Sequence, residues 1–374
     1  MFQVTPRDAL RFTKLCVCFI FTWPPWPEAN NIVKLLFNFF SWSSIIFPTL
    51  LGIALLNAAR YQLDDYLALT KSLCLAFSCL QLVIKILVCK GHRSRLEMIH
   101  CSVKDFIENA TAREMALLQR YVNRCAPMHF IVNVFALVAG LAMISGPFLL
   151  PINLPSDAKY PFDVDKHPGW DVAYLHHVVA GMQCASITPI ECHAAVLIWF
   201  AGARLELLSE EFQNVTSIQE FNECIKKHQI LLKKTDEMIE IVRLIVVTST
   251  LMAGLSIVTG AIHIISHEAM VIKFQFIVID GGFALILFIS AWPAENLINF
   301  SNEIGQGAYN SPWIQNRPEM RKNVLFVLQR SQMQCSISVP GILPEHSLRY
   351  YTAFLSKTFS FFTTLRIVFD DSNN

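Results

Sequence analysis

Residues 348–369 read LRYYTAFLSKTFSFFTTLRIVF, 22 in all, enough for a helix rising about 1.5 Å per residue to cross the ~30 Å hydrocarbon core of a bilayer. Arg349, Lys357 and Arg366 interrupt the run, and a charge near mid-bilayer costs about 2.5–3.5 kcal/mol on insertion scales. On a wheel of about 100° per residue, Arg349, Thr352, Ser356, Ser360, Thr363 and Ile367 share one face, within about 80° of one another. Tyr350, Tyr351, Phe354, Leu355, Phe361, Phe362, Leu365 and Val368 take the opposite side. Two readings fit a spanning helix with an aromatic face and a hydroxyl face. Either the hydroxyls line something wet, or they bond to the helix's own carbonyls or to a neighbouring helix.

The composition places that helix in a membrane protein. Hydrophobic residues make up 53% of the 374-residue chain and charged ones 16%, against about 25% charged in soluble domains, and mean hydropathy is +0.43. A net charge of +1 gives no reason to invoke nucleic acid. No GxSxG, HExxH or Gly-rich phosphate loop occurs. Nor is there a CxxC pair or metal-binding His/Cys spacing, and Cys16-x-Cys18 is too tight for the usual zinc pattern. The expectation is a non-enzyme without cofactor or metal.

Apolar windows fall at 33–56, 67–89, 128–150, 173–202, 242–266, 270–291 and 348–369, predicting an all-α membrane protein with seven transmembrane helices. Lys and Arg number three in the N-terminal arm, seven in 90–127, five in 203–241 and four in 292–344, nineteen in all, against four (Arg60, Lys159, Lys166 and Lys273) in the alternate segments. By the positive-inside rule the N-terminus is cytosolic and the C-terminus extracellular, the reverse of a G-protein-coupled receptor. No DRY follows the third span and no NPxxY closes the seventh. The outer loops 57–66, 151–172 and 267–269 contain none of the eleven cysteines. The sequons at Asn109, Asn214 and Asn299 all fall inside and should carry no sugar.

Residues 1–32 form a cytosolic or interfacial segment: Arg7, Arg11 and Lys14, then the short apolar run 15–21, then a Trp/Pro belt of Trp23, Trp26 and Pro27. This suits an amphipathic helix lying at the interface. Spans 1–6 occupy 33–291. The inner segments 90–127 and 203–241 carry apolar residues at helical spacing between charges, predicting rods that extend from the spans into the cytosol. Residues 292–344 carry a short helix starting at Pro318, either a compact helical hairpin packed on itself or a cytosolic anchor, and 345–374 hold the seventh helix and a short outer tail.

The C-terminal third also carries a family signature. The stretch RPEMRKNVLFVLQRSQMQCSISVPGILPEHSL precedes Lys357-Thr-Phe-Ser-Phe-Phe-Thr-Thr-Leu-Arg366. It resembles the insect odorant receptors, in which a short amphipathic helix, an R-x-Q-like tail and a final K-x-x-S-x-F-T-x-L helix follow one another. Arg330, Gln332, Lys357, Ser360, Phe362, Thr363 and Leu365 hold those places here. The resemblance implies a subunit of an odorant-gated non-selective cation channel, four subunits meeting through the cytosolic anchor around a pore lined by the last helix. At 374 residues the chain resembles a tuning subunit, which assembles with the shared co-receptor Orco in the dendritic membrane of olfactory sensory neurons. Matched residue to residue, the gate falls at Thr364 and Ile367, with Ser356, Ser360 and Thr363 below it. The gustatory receptors are a rival, but their T-Y-x-x-x-x-x-Q-F ending is absent. A metabotropic chemosensory receptor or a secondary transporter is the rival from another class.

A small volatile, mostly apolar ligand needs an aromatic and Met-lined cavity with one or two polar groups, and the resemblance locates it in the outer half of the bundle. The candidates are Leu73 and Phe77 in span 2, Ala142, Ser145 and Gly146 in span 3, Tyr174, His177, Val178, Gly181 and Met182 in span 4, and Phe274 and Phe276 in span 6. The alternative for each is plain helix packing. Lys85, Glu191, His193 and Asp280 are ionisable groups placed inside spans. Lys85 is expected to snorkel to the inner surface, Asp280 to bond across helices or, as the alternative, to contact ligand, and Glu191 and His193 to face protein or cavity. Arg366 stands near the outer mouth, pointing at a neighbouring helix or at Asp370 and Asp371, unless those two carboxylates instead gather cations at the entrance.

Overall fold

The computed structural model describes residues 4–18, 20–23, 25, 29–149, 151–267, 270–315 and 318–372, with 271 and 368–372 by their backbone alone. Among these the chain forms eleven α-helices: α1 (Pro6–Cys18), α2 (Asn31–Tyr61), α3 (Tyr66–Gly91), α4 (Arg93–Asn109), α5 (Ala112–Leu149), α6 (Gly169–Ala185), α7 (Ile187–Gln213), α8 (Ile218–Ile265), α9 (Met270–Asn310), α10 (Pro318–Ser331) and α11 (Leu348–Ser372). By length and composition six units can cross a membrane: α2, α3, α5, α6 with α7, α8 and α9. With 25 residues α11 is also long enough to span, but its three basic residues lower its hydropathy.

Short or structured connections make neighbouring helices antiparallel. One end of the bundle carries residues 62–65 and 151–168 (the loop end), and the other carries α4, the long continuations of α5, α7, α8 and α9, and α10 (the extension end). The rods read from the sequence are there: α8 runs 48 residues without a break, about 70 Å at helical rise. Between α3 and α4 the rod bends at His92 instead of running straight.

Two span boundaries differ from the hydropathy windows. The fourth span is two helices that meet at Ser186. The cause is Pro189, which has no N–H for the helical ladder and whose ring would collide with the carbonyl of Ala185. The sixth span does not end at residue 291. α9 continues to Asn310 through Pro293, so the first part of the anchor segment is the foot of a spanning helix.

The core lies at the extension end and in mid-bundle, where Ile190, Ile198, Leu205 and Phe212 of α7 meet Phe221, Val242 and Val246 of α8 and Leu297 and Ile304 of α9. α7 is buried along nearly its whole length, which explains why it shows no polar stripe in sequence. α10 lays Met320, Val324 and Val327 on this core and leaves Leu325 and Phe326 outward. α1 packs against α5 and α7, with Thr13 and Val17 buried. Trp26 and Pro27 of the expected belt lie outside the described residues; Trp23, 6% exposed, is a core residue stacked on His100.

Residues 151–168 fold down over the loop end rather than standing away from it. Lys159 N donates to the Ala54 carbonyl at 3.0 Å, Asn57 Nδ2 donates to the Lys159 carbonyl at 3.3 Å, and Leu154, Ser156 and Ala158 are buried.

Candidate ligand pocket and pore helix

α11 starts from a fixed root. Ser347 caps it, its Oγ accepting from Tyr350 N at 3.2 Å, and Glu295 of α9 accepts from Leu348 N at 3.1 Å. Next to the cap, His346 Nε2 lies 2.9 Å from Ser290 Oγ of α9, and burial of the imidazole lowers its pKa to about 4, so it stays neutral at physiological pH. From this root the helix rises against α8 and α9. Tyr350, Tyr351, Phe354, Leu355, Phe362 and Leu365 are half-buried, Tyr351 facing the Phe288 ring at 5.6 Å. All six residues of the hydroxyl face, Arg349, Thr352, Ser356, Ser360, Thr363 and Ile367, are exposed, as is Thr364. The wheel thus divides the helix as the fold does, Phe361 excepted: it lies on the aromatic side of the wheel and is exposed. The bonding to the helix's own carbonyls is present. Thr363 Oγ1 and Thr364 Oγ1 both donate to the Ser360 carbonyl, at 2.8 and 2.9 Å, yet they stay on the open face. Arg366 is exposed on the same helix, and the side chains of Asp370 and Asp371 lie outside the described residues.

At the loop end the sequence-derived ligand residues form two groups and leave others apart. The first lies between α5 and α6. Ala142, Ser145 and Tyr174, with Ile144 and Phe148, line an open groove of about 510 Å³. Tyr174 fixes its floor: the hydroxyl donates to the Ile144 carbonyl at 3.2 Å, and the ring stacks on Trp170 at 5.0 Å. Below the groove the two helices come close because a glycine stands on each. A Cβ on Gly140 would lie 3.0 Å from Ala185 Cβ and 3.8 Å from Met182 Sδ, and one on Gly181 would touch the Ile144 side chain at 3.6 Å. Gly146 is buried against Ile152.

The second group joins α3, α8 and α9. The Phe276 ring stacks on His263 of α8 at 3.8 Å, and His263 Nε2 lies 3.1 Å from Thr70 Oγ1 of α3. Leu73, Phe77, Val178 and Met182 are half-buried. His177 is taken up by the folded loop: its Nε2 lies 2.7 Å from Ser156 Oγ and its Nδ1 2.8 Å from the Ala173 carbonyl. Phe274 is 67% exposed, turned away from the helices that hold Phe276.

The four ionisable groups singled out above each have a side-chain partner; His193 Nε2 lies 2.8 Å from His100 Nε2. Lys85 does not snorkel: neither it nor Glu191 is exposed at all, and Lys85 Nζ donates to the Glu191 carboxylate, which also accepts from Ser249 Oγ. The carboxylate offers the ammonium a closer counter-charge than the surface does, and a lysine inside the bundle has no path along lipid. Asp280 bonds across helices as expected, its Oδ1 accepting from Ser256 Oγ at 2.9 Å. Gly260 of α8 makes room for it, since a Cβ there would lie 2.0 Å from Asp280 Oδ2. The sequence reading missed the α8 contribution, Ser249, Ser256, Gly260 and His263. Its one signal was the recurrence of Ser and Thr through TSTLMAGLSIVTG (248–260).

Comparison with known proteins agrees with this arrangement. The 7tm Odorant receptor family profile matches residues 65–359, most of the chain. This protein belongs to that family, the insect odorant receptors. Odorant receptor 10 of Aedes albopictus is 22% identical over 219 residues, 54% of this chain and 57% of the relative. Odorant receptor Or2 of Anopheles gambiae is 21% identical over 68% of this chain and 72% of its own length. The matched stretch thus spans little more than half of the Aedes relative. The solved structure of the olfactory receptor OR5 from Machilis hrabei in complex with eugenol superposes with a TM-score of 0.82 at 13% identity, covering 97% of this chain and 99% of that one. The ligand-free OR5 structure superposes with a TM-score of 0.81 over 96% and 97%. At that identity the likeness concerns the fold.

Proposed function

We propose that this chain is the odorant-binding subunit of a ligand-gated, non-selective cation channel, assembled with Orco as a tetramer whose pore is lined by α11. The observation that carries this reading is the exposed hydroxyl face of a membrane-length helix whose aromatic face is packed on its own subunit. Hydroxyls facing lipid would be left without partners beyond their own helix, whereas α11 helices grouped around an axis would turn that face to water and ions. Ser356 and Ser360 would line the pore, with Thr363, Thr364 and Ile367 narrowing it towards the end of the helix.

The nineteen Lys and Arg of the arm and extensions support a cytosolic extension end and N-terminus, with the loop end outside. On that orientation a small volatile ligand enters from the outer leaflet or the loop end and lodges among α3, α5, α6 and α9. The α5–α6 groove, the half-buried Leu73, Phe77, Val178 and Met182, and Phe276 supply apolar and aromatic walls. Ser145 and Tyr174 supply polar groups, with His177 reachable only if residues 151–168 shift. Ligand that fits the open arrangement better shifts a closed-favouring equilibrium. α10, with Leu325 and Phe326 outward, would join subunits in the cytosol, and the assembly would reside in the dendritic membrane of olfactory neurons.

The test is expression with and without Orco and a recording of current against an odorant panel that includes eugenol, the ligand of the Machilis receptor. Current that needs both subunits and survives G-protein block supports the channel. A requirement for nucleotide exchange would remove it.

A further inference from the structure

We propose that the cleft between α4, α7 and α8 at the extension end holds an anionic phospholipid. The cleft is about 330 Å³ in volume and lies beyond the apolar windows of α3 and α8, which end at residue 89 and begin at residue 242 respectively; its walls include residues 95–102 and 227–238. Its composition is divided in a way that suits a molecule with a charged head and an apolar tail. Arg204 and Lys234 are the cationic part. Among the described residues neither forms an ion pair, and Glu114 and Glu211 act on Arg204 only from a distance. The Arg204 guanidinium lies 4.3 Å from the centre of the Phe106 ring, which holds it beside the opening. The two other cations of the rim are engaged: Lys227 with Glu211 at 2.6 Å and Arg95 with Glu240. Glu237 also faces the cleft, and Asp105 lines the adjoining opening beside Arg204 and Lys234, neither carboxylate forming an ion pair with the two cations among the described residues.

The apolar part is equally specific. Met98 and Ile230 stand on opposite walls at 61% and 58% exposure, a costly arrangement in water and a suitable one against an acyl chain. The floor holds Thr235, 1% exposed, whose hydroxyl has no hydrogen-bond partner. A buried hydroxyl without a partner is costly, and a phosphate or ester oxygen would accept from it. An acidic peptide would satisfy the cations but not the apolar walls, and a free inorganic phosphate would leave them open. A phospholipid whose phosphate rests on Arg204 and Lys234 and whose chain runs along Met98 and Ile230 satisfies both.

The test is direct binding to the purified full chain in detergent, read by native mass spectrometry with dioctanoyl phosphatidylinositol 4,5-bisphosphate as probe and dioctanoyl phosphatidylcholine as its neutral counterpart. The anionic lipid is expected to bind and the neutral one not. The pair R204Q and K234Q should lower occupancy at least about tenfold, while Lys233→Gln, the same charge change one residue away and outside the cleft, should leave it unchanged. Equal binding of phosphatidylcholine, or full binding by the double variant, overturns the proposal. If the double variant does not fold, soluble inositol 1,4,5-trisphosphate decides on the unmodified chain: displacement of the lipid at equal concentration would mean that no chain is recognised. Odorant current without lipid binding would remove this inference and leave the channel, and lipid binding without current the reverse.

Discussion

Lys85 of α3 and Glu191 of α7 form a fully enclosed ion pair, and the Ser249 hydroxyl of α8 donates to the same carboxylate. Three spanning helices are thereby joined at one point by groups that cannot be left alone in a low dielectric. Removing one partner of such a pair typically costs about 3–5 kcal/mol, whereas replacing both with apolar residues is often neutral or better. Lys85→Met and Glu191→Leu should each lower the thermal midpoint of the purified protein sharply, and the double variant should recover most of the loss. A double variant no more stable than the worse single one would mean that the pair is not what joins these helices.

The α11 faces give a second expectation. Cysteine at Ser360 or Thr364, on the exposed side, should react with a water-soluble thiol reagent and alter current. Cysteine at Leu355 or Leu365, packed toward α8 and α9, should not. Silence at both exposed positions, in closed and open channels alike, would take the pore away from this helix.

Gly260 and Asp280 predict an asymmetric double mutant. Gly260→Ala places a methyl group 2.0 Å from Asp280 Oδ2, and overpacking of that kind costs about 1–3 kcal/mol. Adding Asp280→Ala removes the obstruction and should restore part of the stability, which thermal unfolding of the three variants would read. Failure of the second change to help would place the strain elsewhere.

In the ligand groove, Tyr174→Phe removes the hydroxyl that holds the Ile144 carbonyl while keeping the Trp170 stack. Ala142→Trp fills the groove. The first should shift odorant sensitivity by about fivefold, a hydrogen bond's worth of about 1 kcal/mol, and the second should abolish response with surface expression unchanged. An unaltered dose–response curve in Ala142→Trp moves the ligand out of the groove.

Orientation is checked by sugar. Asn109, Asn214 and Asn299 are exposed and all lie at the extension end. They should show no mobility shift on glycosidase treatment, whereas a sequon introduced in the exposed part of 161–167 should show one.

The sequence disclosed the helices and, through the wheel of 348–369, the two faces of α11, because a helix half-packed and half-open must alternate its side chains at helical spacing. It also disclosed the rods at the extension end, whose outer faces meet water. It was least informative where burial is complete. α7 is enclosed along most of its length, so its composition does little to separate its faces, and the break at Ser186 followed from a single proline inside the apolar window. The partner of Lys85 was hidden for another reason: Glu191 lies 106 residues away on another helix, and a charge in a span reads alike whether it reaches for the surface or for a counter-ion. Of the ligand candidates, Ser145 and Tyr174 come together across α5 and α6, but Phe274 and Phe276, two residues apart, face opposite ways.

α9 runs unbroken for 41 residues, about 60 Å, and it carries Phe276 near one end and Glu295, the root of α11, further down. On the proposed ligand site, the ring that meets the odorant and the carboxylate that holds the first turn of α11 would thus belong to one helix, with Pro293 as the point between them where it can flex.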